Sequence, residues 1–180
     1  PLIPKPKTEI SLKIDPKIFI NGLKAVWFSA SNSTIKPELS SVFIYKDGEK
    51  MVFVSTDSFR LSEKKIPLKD SFDFESILLP AKNVTEIIKN IEDADDDFNV
   101  FLEESQISFS YKRNYITSRL NNGNFPDYKQ IIPKEIKTEI IILKEDIINA
   151  LKVTNIFADK FNQIVFNISP SKKIFTIKSQ

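Results

Sequence analysis

The chain has 180 residues, with 26 Lys plus Arg against 24 Asp plus Glu, a formal net charge of +2 and 41% hydrophobic residues. That balance suits one packed domain with part of a second and excludes an intrinsically disordered chain. There is no His and no Cys, which removes Ser-His-Asp triads, Cys-His dyads, zinc fingers and disulfide frameworks. No apolar run approaches the roughly 18 residues of a membrane span.

Pro1 to Lys7 hold three prolines and two lysines and read as an extended linker, neither a signal peptide nor a transit helix. An internal repeat follows. In the first copy, Thr8 to Ile14 is an extended run. Asp15-Pro16 is a helix start, and the helix places Phe19, Leu23, Val26 and Trp27 on one face. The strand-like runs Val42 to Tyr45 and Met51 to Ser55 then flank Asp47-Gly48, a two-residue hairpin signal, and Phe59 to Ile66 adds an extended segment.

In the second copy, Phe74 to Leu79 is extended and Pro80 opens a helix. Its Val84, Ile87, Ile88 and Ile91 form a single apolar stripe, with Lys82, Asn83, Lys89 and Asn90 opposite. Phe98, Val100 and Leu102 alternate, as do Ile107, Phe109 and Tyr111, making a second hairpin before Tyr115 to Leu120. The third copy begins with Thr138 to Leu143 and a helix from about Lys144 carrying Ile147, Ile148 and Leu151. A hairpin from Ile164 to Ile177 follows.

Two full strand-helix-strand-strand-strand units and one shortened unit predict an α+β protein whose antiparallel sheets pack on paired helices, since each unit leaves an apolar sheet face and helix stripe needing a partner. The helices at about 15 to 28 and 80 to 91 are expected side by side, against sheets on their other face. Residues 1 to 134 form a complete domain and 135 to 180 half of another, the boundary lying where Gly123, Pro126 and Pro133 interrupt the periodicity. The sequence looks like a piece of something longer, with apolar surface expected around Ile147, Leu151 and Phe166.

Certain residues narrow the reading further. Val54-Ser55-Thr56-Asp57-Ser58-Phe59-Arg60-Leu61 resembles the ATDGHRL signature of bacterial sliding clamps, the beta subunits of replicative DNA polymerase III. Leu79-Pro80-Ala81-Lys82-Asn83-Val84 is similar to that family's VPRKGV helix entry. Thr117-Ser118-Arg119-Leu120 and Gly123-Asn124-Phe125-Pro126-Asp127-Tyr128 are similar to its TSRL and DGRFPDY stretches, and Ile132-Pro133-Lys134 also fits. These strings keep the family's order over essentially the whole chain, as the middle domain and first half of the last domain. Ser58, Phe59 and Asn124 stand where many members have Gly, His and Arg.

The resemblance implies a non-catalytic, cytoplasmic processivity subunit that closes into a homodimeric ring around double-stranded DNA without reading its sequence. It also implies a pocket for short linear peptides of polymerase and clamp-loader subunits, at Leu39, Thr56, Ser58, Phe59, Arg60 and Leu61, with Gln163 and Ile164. Lys36, Lys82, Lys89 and Arg119 are the implied DNA contacts. No cofactor is implied.

Other readings of the same residues stay open. Leu39 and Leu61 also suit ordinary core positions, and a lysine-bearing helix face is often simply solvated. Arg occurs only at positions 60, 113 and 119, and an Ile-, Asn- and Lys-rich composition is what an AT-rich genome yields without any nucleic-acid role. Asp57 and Ser58 have no His and no nearby Ser-x-x-Lys pattern to make a nucleophile. Asp93, Asp95, Asp97 and Glu104 fall at EF-hand spacing, but Phe98 occupies the position that needs Gly and a strand pattern follows it. The alternatives in function are a protein-interaction module that never touches DNA, or a hydrolase or DNA-modifying enzyme on an α+β scaffold.

Overall fold

A computed structural model describes residues 10–33, 35–68, 74–92, 98–160 and 163–179. The Pro1 to Lys7 linker and the Asp93 to Asp97 run lie outside the described residues. The chain divides into two compact units, Pro1–Asp127 and Tyr128–Gln180.

The first unit opens with β1 (Ile10–Ile14), α1 (Pro16–Val26), β2 (Ser41–Asp47), β3 (Lys50–Thr56) and β4 (Leu61–Pro67). The same order recurs in β5 (Ile77–Pro80), α2 (Ala81–Ile91), β6 (Phe98–Glu103), β7 (Gln106–Tyr111) and β8 (Asn114–Arg119). Local chemistry sets the helix starts. The Asp15 side chain accepts from the Lys17 backbone N–H at 2.8 Å, and Pro16 fills the first turn, where it has no N–H to waste. At α2, Pro80 precedes the helix, and the Ala81 N–H donates to the Ser40 carbonyl at 2.9 Å, so a neighbouring loop satisfies what a capping side chain otherwise would.

The strands of the two repeats are exchanged. One antiparallel sheet runs β4-β3-β2-β5 and the other β1-β6-β7-β8, so the first strand of each repeat pairs with the other repeat. Ile10 to Ile14 lie opposite Leu102 to Phe98, and Ser41 to Ile44 opposite Pro80 to Ile77. α1 lies against α2 and against β3 and β4, while α2 lies against β5, β2 and β8. The expected side-by-side helices and antiparallel sheets are therefore present.

All four residues of the α2 stripe, Val84, Ile87, Ile88 and Ile91, are buried. In α1, Phe19, Leu23 and Val26 are buried together with Ile20, which the sequence pattern did not single out. Trp27 sits in a short 3₁₀ turn (Trp27–Ser29) and is only half-buried. Phe19 is the hub of the core. Its ring centroid lies 5.7 Å from Phe53, 6.1 Å from Phe98 and 5.3 Å from Phe109, touching one sheet through the first ring and the other sheet through the second and third.

Several expectations move by a residue or more. The β2–β3 hairpin pairs Asp47 with Lys50, so its two turn residues are Gly48-Glu49 rather than Asp47-Gly48. Gly48 has φ +61° and Glu49 stays out of the positive region, the arrangement of a turn with glycine at its first central position. β5 starts at Ile77, residues 74–76 being irregular, and β4 starts at Leu61 because residues 57–60 form a turn. Phe98 opens β6 as its alternation implied, and Glu104 lies in the β6–β7 turn.

The second unit holds α3 (Lys144–Ile156) over an antiparallel hairpin of β9 (Ile164–Ser169) and β10 (Ile174–Ser179). Thr138 to Leu143, expected as a strand, has no ladder partner among the described residues and is irregular. Nothing in α3 is fully buried: Ile147 and Leu151 are half-buried and Ile148 is exposed. Phe166 is 50% exposed although its ring stacks on Phe175 at 5.6 Å.

Candidate functional site

The β3–β4 turn is wired from within. The Thr56 hydroxyl donates to the Arg60 carbonyl at 2.7 Å and accepts from the Ser58 backbone N–H at 3.1 Å. One Asp57 oxygen, Oδ1, accepts from the backbone N–H groups of Phe59 and Arg60, each at 3.0 Å. The other, Oδ2, accepts from Arg60 Nε at 3.1 Å. The Arg60 N–H and then burial act on the Asp57 carboxyl in opposite senses, and with the Phe59 N–H and the Arg60 guanidinium added, the net effect holds it below the usual carboxylate range.

This wiring has consequences at each position. Ser58 is held at φ +77°, a conformation in which a Cβ is strained. Phe59, at the tip, is 98% exposed, an unusual place for an aromatic ring. Leu61 is half-buried opposite Thr56. Asp57 organises the turn through these bonds. The Asp-x-x-Arg spacing, which lets the carboxylate reach the backbone N–H groups two and three residues on and the Arg side chain as well, is the sequence signal of that role.

Leu39 is reached from the same strands. Ser62, next to Leu61, shares a 2.7 Å hydroxyl contact with Ser29, and the Ser55 hydroxyl donates to the Val26 carbonyl. From there Ser31 N–H donates to the Leu39 carbonyl at 2.8 Å. Leu39 itself is 8% exposed and buried in the core, not on an open face. Gln163 and Ile164 lie in the second unit: Gln163 is exposed just before β9, and Ile164, half-buried, pairs with Ser179.

The four expected DNA contacts are all exposed. Lys36 caps a tight loop, its carbonyl accepting from the Leu39 and Ser40 N–H groups at 3.0 and 3.1 Å. Lys82, in the first turn of α2, borders a cavity of about 370 Å³ with Trp27, Phe28 and Asn32. Lys89 is tied to Glu86 at 2.9 Å. Arg119 ends β8. Two further lysines that the repeat pattern did not pick out, Lys17 and Lys24, are exposed on α1, Lys24 being paired with Glu92. Among the described residues, no group of three or more acidic side chains is placed to hold a metal ion.

The first unit is thus a duplicated α+β domain with exchanged strands and two adjacent helices. The sequence profile of the DNA polymerase III beta subunit, central domain, matches residues 13–127, and the chain belongs to that family. The beta sliding clamp of Staphylococcus epidermidis is 25% identical over 180 residues, covering 99% of this chain and 48% of that protein. The Staphylococcus aureus clamp is 23% identical over 179 residues with the same coverage. The crystal structure of the Bacillus subtilis sliding clamp superposes with a TM-score of 0.84 at 24% identity, over 99% of this chain and 50% of that one. A putative beta subunit from Eubacterium rectale gives 0.86 at 21% identity, over 94% and 47%. The chain thus spans about half the length of the curated relatives it matches.

Proposed function

We propose that this chain is part of a ring-shaped sliding clamp that tethers a replicative DNA polymerase to duplex DNA and catalyses nothing itself. Residues 1–134 serve as its middle domain and 135–180 as the first half of its C-terminal domain. The ring is a homodimer that encircles DNA in the cytoplasm, with Lys36, Lys82, Lys89 and Arg119 meeting phosphates regardless of sequence. Polymerase and clamp-loader subunits dock through short linear peptides at Leu39, Thr56, Ser58, Phe59, Arg60 and Leu61.

The observation that carries the reading is the β3–β4 turn. It is internally bonded, so it offers a preformed surface, and it presents an exposed aromatic ring at the tip beside an arginine that is oriented by Asp57 and still exposed. A peptide with apolar and aromatic residues fits that surface, since the partner loses little by docking on a turn already ordered. Titrating the labelled chain with a short linear peptide from a replicative polymerase subunit tests it: amide shifts concentrated at residues 56–61 and 39 are expected. Shifts absent there, with the peptide in excess, defeat the docking assignment.

A further inference from the structure

A second cavity lies within the first unit, away from the β3–β4 turn. It encloses about 600 Å³ between β5, the β6–β7 turn and the segment following β8. Phe43, Leu102 and Phe125 line its apolar side, and Phe125 stacks face to face on Phe43, centroids 4.8 Å apart and planes 7° off parallel. Tyr45 extends the row, 5.0 Å from Phe43. The charged lining is of one sign: Glu75, Glu103 and Glu104 border it, and no Lys or Arg does.

Glu103 is built into the wall. Its Oε2 accepts from Gln106 Nε2 at 2.7 Å, while Oε1 is sealed from solvent with no hydrogen-bond partner among the described residues. With one oxygen taken by Gln106 and the other sealed, Glu103 adds negative charge to the wall, and the carboxylates open to an incoming donor are those of the exposed Glu75 and Glu104. The walls are fixed in advance. Leu120 N–H donates to the Ser105 carbonyl and Asn121 N–H to the Leu78 carbonyl, both at 2.9 Å, and the Asn121 amide donates to Ser41 Oγ at 2.8 Å. A pocket so held needs no ordering when it is filled.

We propose that this cavity is a second docking site, for an arginine-bearing linear segment of a partner protein. Phe43 is itself covered by Phe125 and Tyr45, so the aromatic wall offered to a ligand is the end of that row at Phe125; a flat guanidinium suits it and carries five donors for carboxylates on the rim, whereas a lysine offers a point charge with no planar face. A bare metal ion is a poorer fit, because these carboxylates do not converge on one point. DNA is repelled by the same charges. The site goes beyond the proposed clamp function and stands independently of the peptide surface at residues 56–61.

The test uses the whole 180-residue chain, isotope-labelled and titrated with acetyl-Leu-Arg-Leu-Arg-amide, alongside its Lys and Glu counterparts. Saturable amide shifts are expected at Phe43, Glu104, Asn122 and Phe125, strongest for the Arg peptide, weaker for Lys and absent for Glu. Glu75 and Glu104 are exposed, so Glu75→Gln and Glu104→Gln leave the fold intact, as an unchanged spectrum of the free variant will confirm. Each should weaken the Arg peptide about two- to fivefold, the range of exposed charge pairs. Equal shifts from the Glu peptide, unchanged affinity in the double variant, or Arg-peptide shifts confined to residues 56–61 overturn the proposal. Because the polymerase peptide reports at residues 56–61, failure at one site is distinguishable from failure at the other.

Discussion

At the scale of single residues, the β3–β4 turn joins a strained backbone to a depressed carboxyl. Ser58 carries a Cβ at φ +77°, where a left-handed conformation costs roughly 1–2 kcal/mol for an L-residue. Ser58→Gly removes that strain, and the glycine's extra freedom in the unfolded chain offsets part of the gain, so a net stabilisation of about 0.5–1 kcal/mol is expected in urea unfolding. Asp57 titrates low because the backbone N–H of Arg60, above all, holds its charged form. Its folded value therefore lies below its unfolded value near about 3.9, and the sign follows. The stabilisation is complete above the unfolded value and is lost as pH falls through the folded one. Amide shifts of Phe59 and Arg60 should hold steady from neutral pH to about 5 and move only below it; in Asp57→Ala they should lie displaced at every pH, with peptide affinity at the turn reduced. A titration of those amides near neutral pH would contradict the wiring.

At the scale of elements, the tightest constraint is where α1 meets β3. Gly22 is buried, and a Cβ there would lie 2.3 Å from the ring of Phe53, which is itself fully buried and edge-on to Phe19. The ring has nowhere to go, so Gly22→Ala should destabilise by about 1–3 kcal/mol, even though alanine is the better helix former by about 1 kcal/mol. Chemical denaturation of the variant measures this; an unchanged midpoint would mean that the ring yields. Leu79→Ala, at a fully buried position in β5, should cost about 2–5 kcal/mol. How far these elements could be read in advance depended on the kind of information each needs. The α2 stripe was legible because i, i+3, i+4, i+7 spacing is a property of one segment. The Gly48-Glu49 turn was missed by one residue because Asp-Gly and Gly-Glu both suit tight hairpins, and only the Asp47–Lys50 pairing decides between them. The exchange of β1 and β5 was not legible at all, since alternation says which face is buried and not which strand is the neighbour. For the site, the Thr56 to Leu61 string stood out by resemblance, while Leu39's burial and Asp57's role depend on contacts that spacing does not fix.

At the scale of the whole molecule, the exchange means that neither repeat can open without breaking a ladder of the other, and Phe19 ties both sheets to one core. Native-state hydrogen exchange should therefore give β1, β2, β5 and β6 one common protection level. A net charge of +2 gives no long-range pull toward DNA, so the proposed binding rests on where the cations stand. Lys89 is already neutralised by Glu86 and Lys24 by Glu92, whereas Lys36, Lys82 and Arg119 have no ion pair among the described residues. These differ in what their reversal should do. For this chain and linear duplex, affinity in the range of about 10⁻⁴ to 10⁻⁶ M is expected, falling steeply with salt, as for any contact made to phosphates alone. Lys36→Glu and Arg119→Glu should each weaken binding and lower the slope of log affinity against log salt by about 0.9, one phosphate contact apiece. Lys89→Glu should do less, because the lysine's charge is already shared with a neighbour. Fluorescence anisotropy on two duplexes of unrelated sequence separates the possibilities: the losses should be equal on both, and a variant that weakens one duplex but spares the other would show that bases are being read and that the phosphate assignment is wrong.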